Sequence, residues 1–120
     1  MFVEIAVDVL MGTVDAAAAP LPDVGPVGRP HPEPRDVDRA ASLLAAAERP
    51  ALVAGSGVYW DGAPAALAAL AERAGVPVFA NGMGRGCLPA DHPAAFQLAR
   101  GTALREADLV IVLGTPLDFR

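Results

Sequence analysis

Three short apolar runs, each ending in glycine, constrain the fold of this 120-residue chain more than any other feature. They read ALVAGSG at residues 51–57, VPVFANG at 76–82 and DLVIVLG at 108–114. Short apolar runs bounded by turn residues are typical of strands that are buried on both faces. Because helix-like segments separate them, the alternation predicts an α/β fold with a Rossmann-like, three-layer parallel sheet.

The first helix is predicted over residues 36–49, where apolar residues recur at helical spacing. Asp36 or Asp38 is expected to accept the first unpaired backbone amides as the N-cap residue. Pro50 follows and is expected to stop the helix, because proline has no backbone amide to donate.

Two further helices are predicted, over residues 62–75 and, with a break near Gly101, over residues 92–107. Pro64 falls in the first turn of the second helix, where a missing amide costs nothing. Gly75 falls just beyond its last turn, where a glycine commonly adopts the left-handed conformation that ends a helix.

The segment before residue 36 has a different character. Residues 2–10 alternate between apolar and other residues, which predicts a strand, and we interpret residues 1–12 as the closing strand of an upstream domain. Residues 13–35 are rich in proline and predict an extended linker. The predicted α/β domain therefore occupies residues 36–120.

Composition narrows the classes of function. The net charge is −5, which argues against an extended nucleic-acid surface. The single cysteine excludes an internal disulfide, and no stretch reaches the roughly 20 apolar residues that a membrane span needs. No secretory signal is recognisable, so we expect a cytoplasmic protein without nucleic-acid or membrane partners.

The ends of the three strands predict the ligand site, because open parallel sheets bind ligands beyond the carboxyl ends of their strands. Glycines there let a phosphate approach backbone amides closely, although turns also need glycine for their own geometry. The candidate cofactor-binding residues at these ends are Gly55, Ser56, Gly57, Asn81, Gly82, Met83, Gly84, Gly114 and Thr115.

An ordinary nicotinamide dinucleotide site is not predicted. GSGVYW supplies a Gly-x-Gly, but Trp60 stands where the third glycine of that fingerprint is needed for close helix–strand packing. No acidic residue follows the second strand to hold a ribose, since Asn81 stands there.

Five other residues have side chains that could take part in chemistry. Cys87 is interpreted as a packed thiol, and Asp91 and His92 as a turn and helix start rather than a catalytic pair. For Arg85, and for Arg100 beyond it, two interpretations stay open: phosphate binding or a solvated side chain. We predict no catalytic residue and no metal ligand in this chain.

At the family level, RPALVAGSGV, AGVPVFANGMGRGCLPADHP and EADLVIVLGTPLDFR resemble the central domain of thiamine-diphosphate-dependent enzymes of the acetolactate synthase type. MFVEIAVDVL resembles the strand that closes their pyrimidine-binding domain, and the proline-rich segment resembles the linker that follows. The resemblance implies that this chain is a fragment: the end of one domain, a linker and the N-terminal part of the central domain.

The resemblance implies a parent enzyme that uses thiamine diphosphate and Mg²⁺ to decarboxylate a 2-keto acid and join the product to a second carbonyl compound. The glutamate and Gly-Asp-Gly motif that serve thiamine in the family lie in its other domains, so this chain alone is expected to be inactive. The expected partners are the remaining domains of the parent, in a homo-oligomer, a dimer or tetramer.

The resemblance also implies FAD or ADP at the central domain. Gly82-Met83-Gly84 occupies a flavin-contacting place of the family, and Arg100-Gly101 another, with Arg100 where the family has histidine. Asp118 matches a third such segment, in which Pro116 replaces an arginine. Two alternatives stay open: a free-standing FAD- or ADP-binding module, and a structural or oligomerisation domain without a ligand.

Overall fold

The computed structural model describes residues 2–23, 25, 28 and 30–116. The chain divides into two compact units, Met1–His31 and Pro32–Arg120. The division falls within the proline-rich segment. The assignment of residues 1–12 to an upstream domain, and of 13–35 to a linker, stays a prediction.

The strand expected over residues 2–10 is not formed. Residues Val7–Leu10 instead form a single helical turn, α1, and Ala16–Ala18 form a 3₁₀ turn capped by the carboxylate of Asp15. A strand needs a neighbouring strand to pair its backbone groups. No described residue of this unit supplies one, so Leu10 and other amides bond locally to carbonyls three or four residues back.

The second unit contains the predicted parallel sheet. Among residues 32–116 its strands are β1 (Pro50–Ala54), β2 (Val78–Ala80), β3 (Ala95–Phe96) and β4 (Leu109–Leu113). Every pairing is parallel, and the spatial order is β3-β2-β1-β4. The prediction of an α/β fold with a parallel sheet is confirmed.

In the described part of this unit, the α-helices beside the sheet are α2 (Pro34–Ala46), α3 (Ser56–Trp60), α4 (Pro64–Ala74) and α5 (Arg100–Glu106). For α4 the prediction is confirmed, with a proline in its first turn and Gly75 at φ +63° directly after it. The sequence did not predict α3, because Gly55 and Gly57 at its start are residues typical of turns.

The N-terminal cap predicted for α2 is wrong. This helix begins at Pro34, two residues before Asp36, and its N-cap residue Glu33 makes no side-chain capping bond. Proline at the first helical position has the φ angle that a helix requires and lacks an amide that would otherwise stay unpaired. The helix also ends at Ala46, before Pro50, which is the first residue of β1.

The long helix predicted over residues 92–107 is also wrong in its first half. Ala95–Phe96 pair with β2 as a short parallel strand, and the amide of Val78 donates to the carbonyl of Ala94 at 2.8 Å. Tertiary pairing therefore overrides the helix preference of the alanines.

Gly101 is the second residue of α5 and does not interrupt a helix. His92 caps no helix; its Nδ1 accepts the amide of Ala94 within a turn.

The core lies between the sheet and α4. Its fully buried side chains include Leu52 of β1 and Val76, and α4 contributes Leu67 and Ala71. Cys87 joins this cluster at 6% exposure, with its sulfur 3.7 Å from the carbonyl oxygen of Met83. The interpretation of Cys87 as a packed thiol is thus confirmed.

Strand β4 departs from the expected double-sided burial. It pairs with β1 along one edge, and within the described residues no strand pairs with its other edge. Val110 and Val112 point to the same face of the sheet and remain 40% and 37% exposed. Leu109, Ile111 and Leu113 alternate with them and are less exposed, so in the described part of the chain one face of β4 is covered better than the other.

A carboxylate joins the starts of β1 and β4. Asp108 accepts the backbone amides of Glu48 and Arg49 at 2.7 and 2.9 Å, and the side chain of Arg49 donates to the carbonyl of Glu106 at 2.9 Å. Hydrogen bonds to an ionised carboxylate favour the charged form. These two amides, first that of Glu48, therefore lower the pKa of Asp108.

Candidate functional site

The carboxyl ends of the three longer strands meet at one edge of the sheet. The amide of Gly57 donates to the carbonyl of Gly114 at 2.8 Å, which joins the loops after β1 and β4. The amide of Met83 donates to the hydroxyl of Ser56 at 3.0 Å, which joins the loops after β2 and β1. Residues that are 27 and 57 positions apart in sequence are therefore brought into contact, as the parallel sheet requires.

Close approach of these loops explains their glycines. A Cβ atom added at Gly57 would lie 2.7 Å from the Cα atom of Gly114, and one added at Gly82 would lie 2.6 Å from the hydroxyl oxygen of Ser56. Gly114 also has φ +59°, a conformation that side chains disfavour. A Cβ at Gly84 would collide with the carbonyl oxygen of Ala54. The glycines thus let one loop pack against another.

Most amides at these loops already have partners in the chain. Besides Gly57 and Met83, the amide of Gly55 donates to Leu113, and that of Gly84 donates to the carbonyl of Asn81. The amide of Gly82 donates to the side-chain oxygen of Asn81 at 2.8 Å. In this conformation these groups do not form an open phosphate cradle, and their contact with a nucleotide remains a prediction.

The end of β4 carries a buried polar atom. The hydroxyl oxygen of Thr115 has no hydrogen-bond partner within the described part of the chain, and it lies against Gly55. A buried unpaired hydroxyl is costly, so such a group is a reasonable candidate for ligand contact. Asp118, the last of the predicted site residues, lies outside the described residues.

A cavity of about 540 Å³ opens beside the ends of β2 and β3. Three of the predicted residues, Gly84, Arg100 and Gly101, line it, and Arg85 joins them. The rest of its wall is mainly apolar: Leu67, Val78, Phe79, Ala80, Gly86, Leu88, Ala90, Ala95, Phe96, Gln97 and Leu98. Its volume lies within the range of small-molecule sites, which is roughly 300–1,000 Å³.

A second depression, of about 620 Å³, lies at the ends of β1 and β4. Gly57 and Gly114 line it together with Leu67, Leu70 and the exposed Trp60. Of the predicted strand-end residues, Gly84 lines the first cavity, and Gly57 and Gly114 line the second. The others line neither of these two cavities: Gly55, Ser56, Asn81, Gly82, Met83 and Thr115. Of these two cavities, as lined by the described residues, the one beside β2 and β3 combines a strand-end residue, Gly84, with the cationic side chains of Arg85 and Arg100.

The sequence missed the aromatic wall of the cavity beside β2 and β3. Phe79 of β2 and Phe96 of β3 lie with their ring centroids 6.1 Å apart. This pair exists because β3 forms, and the helix predicted in its place would have put Phe96 elsewhere. The short apolar stretch Ala94–Phe96 between Pro93 and Gln97 was the available signal for a strand, although it is too brief to be distinctive.

His92 forms a structural contact. Its Nε2 lies 3.2 Å from a carboxylate oxygen of Glu72 on α4, and its Nδ1 accepts the amide of Ala94 at 3.1 Å. Because Nδ1 accepts, the ring proton lies on Nε2 and is donated to Glu72. The contact joins the loop before β3 to α4. Asp91 takes no part in it.

Neither a metal centre nor a membrane span is found in the described part of the chain. No group of three or more His, Cys, Asp or Glu side chains could hold a metal ion among residues 2–23, 25, 28 and 30–116. Over the same residues, no helix combines the length and apolar character needed to cross a bilayer.

Comparison with known proteins identifies the α/β unit. Residues 37–120 match the family described as thiamine pyrophosphate enzyme, central domain. The acetolactate synthase large subunit IlvG of Mycobacterium tuberculosis is 50% identical over 91 residues, which cover 76% of this chain and 17% of that protein. The 2-hydroxyacyl-CoA lyase 2 of Mus musculus is 41% identical over 96 residues, covering 79% and 15% respectively.

A third relative extends the similarity over nearly the whole chain. The probable acetolactate synthase large subunit of Methanocaldococcus jannaschii is 34% identical over an alignment of 129 positions. This alignment covers 98% of this chain and 22% of that protein. The chain thus spans less than a quarter of the length of these relatives. The family match covers more than half of the chain and agrees with the parallel sheet. The chain belongs to the thiamine pyrophosphate enzyme central-domain family and is acetolactate synthase-like.

Proposed function

We propose that this chain provides part of the central domain of an acetolactate synthase-like enzyme that decarboxylates a 2-keto acid and joins the product to a second carbonyl compound. The observation that carries the proposal is the 50% identity to an acetolactate synthase large subunit, within a central-domain family match over residues 37–120. Thiamine diphosphate, with Mg²⁺, supplies the carbon–carbon chemistry in such an enzyme.

The role of this chain is to support catalysis rather than to perform it. The sequence contains no Gly-Asp-Gly motif, and no described side-chain cluster could bind a metal ion. The residues present do not fit a thiamine site. Catalysis then requires the remaining domains of the enzyme, in a cytoplasmic homo-oligomer, and the 120-residue chain alone is inactive.

A nucleotide, FAD or ADP, is the ligand that this unit would hold. The cavity beside β2 and β3 has the volume of a small-molecule site and combines an apolar wall with Arg85 and Arg100. The buried hydroxyl of Thr115 offers one further polar group near the strand ends. These residues would bind and orient the nucleotide, and they fit its anionic and apolar parts.

A lyase that cleaves a 2-hydroxyacyl-CoA is the second candidate for the complete enzyme. The 41% identity to a 2-hydroxyacyl-CoA lyase is the observation that favours it. In both candidates the chain provides part of the central domain of a thiamine enzyme. The similarity to such enzymes favours this placement over a free-standing nucleotide-binding module or a scaffold domain.

Titration of the purified chain with FAD and with ADP tests the proposal. The melting temperature of the chain and the flavin fluorescence are followed during each titration. A ligand that binds only the folded state at 100 times its Kd stabilises that state by about 2.7 kcal/mol. We expect saturable binding of at least one nucleotide and no consumption of pyruvate with added thiamine diphosphate and Mg²⁺. A folded chain that binds neither nucleotide, or that consumes pyruvate unaided, would contradict the proposal.

A further inference from the structure

A histidine that the proposed function does not use lies at the amino ends of β2 and β3. His92 lines a third depression, of about 490 Å³, together with Val76, Pro77 and Pro93. This end of the parallel sheet is opposite to the carboxyl ends, where the two larger cavities open. The side chain of His92 is only 10% exposed, yet histidine is a residue whose charge changes near neutral pH.

Both ring nitrogens of His92 have partners, and each partner belongs to a different part of the fold. Nε2 lies 3.2 Å from a carboxylate oxygen of Glu72 on α4, and Nδ1 accepts the amide of Ala94 at 3.1 Å. The ring is therefore neutral in this conformation, with its single proton on Nε2. In this state it holds the turn before β3 against α4.

The bond to the Ala94 amide is continuous with the pairing of β3. The carbonyl of Ala94 accepts the amide of Val78 at 2.8 Å, and the carbonyl of His92 accepts the amide of Ala95 at 2.9 Å. β3 contains two residues and, in the described part of the chain, pairs with β2 alone. Because so few bonds hold this strand, the loss of one of them in the adjoining turn lowers its local stability.

Protonation of His92 has opposite effects on its two contacts. The added proton occupies Nδ1, so Nδ1 and the amide of Ala94 both become donors and their hydrogen bond is lost. The contact with Glu72 becomes an ion pair, which favours the charged ring. The charged ring therefore stays with α4 while the turn before β3 is released.

Few other charges act on this ring. Glu72 is the titratable side chain that faces His92 from α4. Of the described residues, α4 and the segments around β2 and β3 contribute no further titratable side chain to the depression. Asp91 precedes His92 in the same turn, but it is exposed and makes no hydrogen bond with the ring.

Phe96 connects this end of the sheet to the cavity beside β2 and β3. It lines the third depression, and it also lines that cavity, where its ring centroid lies 6.1 Å from that of Phe79. Phe96 belongs to β3, so any loosening of β3 displaces the aromatic wall of the cavity.

We propose that His92 and Glu72 form a pH-sensitive latch on β3. Protonation of His92 releases the amide of Ala94 and loosens the strand, while Glu72 retains the charged ring on α4. The wall at Phe96 is then ordered when His92 is neutral and loosened when it is charged. The latch needs no ligand, so it is independent of the proposed function.

Amide hydrogen exchange of the full 120-residue chain, resolved by NMR between about pH 8 and pH 5, tests the latch. Protection is expressed relative to an unstructured peptide at the same pH, which removes the intrinsic pH dependence of exchange. The amides of Ala94 and Val78 should lose protection by about three- to tenfold as the ring protons of His92 titrate, as expected for one lost hydrogen bond. The amide of Gly55, which donates to β4, is the internal control and should keep its protection.

Three variants assign the response to the latch. His92→Asn keeps an acceptor for the amide two residues ahead and has no titrating ring, so Ala94 should stay protected throughout the pH range. His31→Asn is the matched control, because it removes the other histidine of the chain, an exposed residue outside the depression, and it should leave the response intact. Glu72→Gln keeps an acceptor for Nε2 and removes the charge, so the transition should move to lower pH.

Several results would overturn the latch. One is unchanged protection of Ala94 and Val78 across the pH range, whether or not the ring of His92 titrates. Another is an equal loss of protection at Gly55, because it would indicate general unfolding in acid. A response that persists in His92→Asn, or disappears in His31→Asn, would mean that another group titrates. A transition at the same pH in Glu72→Gln would refute the part assigned to Glu72.

Discussion

Replacement of Gly57 by alanine tests the packing of the strand-end loops. A Cβ atom at this position would lie 2.7 Å from the Cα atom of Gly114 and 3.1 Å from its carbonyl oxygen. Both contacts are with backbone, which cannot move aside as a flexible side chain could. The loops after β1 and β4 must therefore separate, and the hydrogen bond from Gly57 to Gly114 must lengthen or break.

The expected loss of stability follows from two opposing effects. Overpacking of a tight site costs about 1–3 kcal/mol. Alanine within a helix such as α3 recovers roughly 0.5–1 kcal/mol relative to glycine. We expect a net destabilisation of about 1–2 kcal/mol, and for a unit of this size each kcal/mol lowers the melting temperature by roughly 4–8 °C.

Gly101→Ala is the matched control for this substitution. Gly101 also lies in a short helix, but a Cβ atom there would meet nothing within 4 Å. This variant should be neutral or more stable by up to about 1 kcal/mol. Both variants are compared with the wild type by thermal and urea unfolding. If Gly57→Ala melts at or above the temperature of Gly101→Ala, the argument from close loop contact is refuted.

Three further substitutions and probes test other parts of the structure. Asp108→Asn should lower the free energy of unfolding near neutral pH. The difference from the wild type should shrink as pH falls through the lowered pKa of Asp108, because the carboxylate contributes to stability only while it is ionised. A difference that does not depend on pH in urea unfolding would contradict this. Leu52→Ala, at a fully buried residue, should lower the free energy of unfolding by about 2–5 kcal/mol. Leu98→Ala, at a residue that is 99% exposed, should lower it by less than about 0.5 kcal/mol. Equal losses in the two variants would refute the assigned core. Cys87 should react with a thiol reagent only as the unit opens, so labelling as fast in the native as in the urea-unfolded chain would refute its burial.

The parts of the fold that the sequence predicted are those set by strong local patterns. The runs around Leu52, Val78 and Ile111 have the length and apolar content of buried strands, and their alternation with helices requires crossover connections. Parallel pairing follows from those connections, and with it the meeting of the strand ends. Pro64 and Gly75 marked the ends of α4 because each has a specific backbone requirement.

The parts that the sequence did not predict depend on distant contacts. β3 has only two residues, and its alanine-rich surroundings resemble a helix until β2 is available as a partner. The wall that Phe96 forms with Phe79 was missed for the same reason. The strand predicted over residues 2–10 does not form, for the opposite reason. Its sequence has the alternation of a strand, but no described residue provides a neighbouring strand for it to pair with.

The candidate site was predicted only in outline. Sequence reasoning located ligand contacts at the strand ends and included Arg100, but it could not show that loop contacts occupy the amides of Gly55 and Gly57. Such occupation depends on loop-to-loop distances that no local pattern encodes. It also left Arg85 undecided, since solvated and ligand-binding arginines look alike in sequence.

The position of a bound nucleotide tests whether the cavity beside β2 and β3 is the ligand site of this unit. Backbone amide resonances of the isotope-labelled chain are followed while ADP is added. We expect saturable shifts centred on Gly84, Arg85 and Gly101, which line the cavity beside β2 and β3. Shifts confined to Gly57 and Gly114, in the depression beside β4, or an unchanged spectrum of the folded chain at saturating ADP, would contradict it.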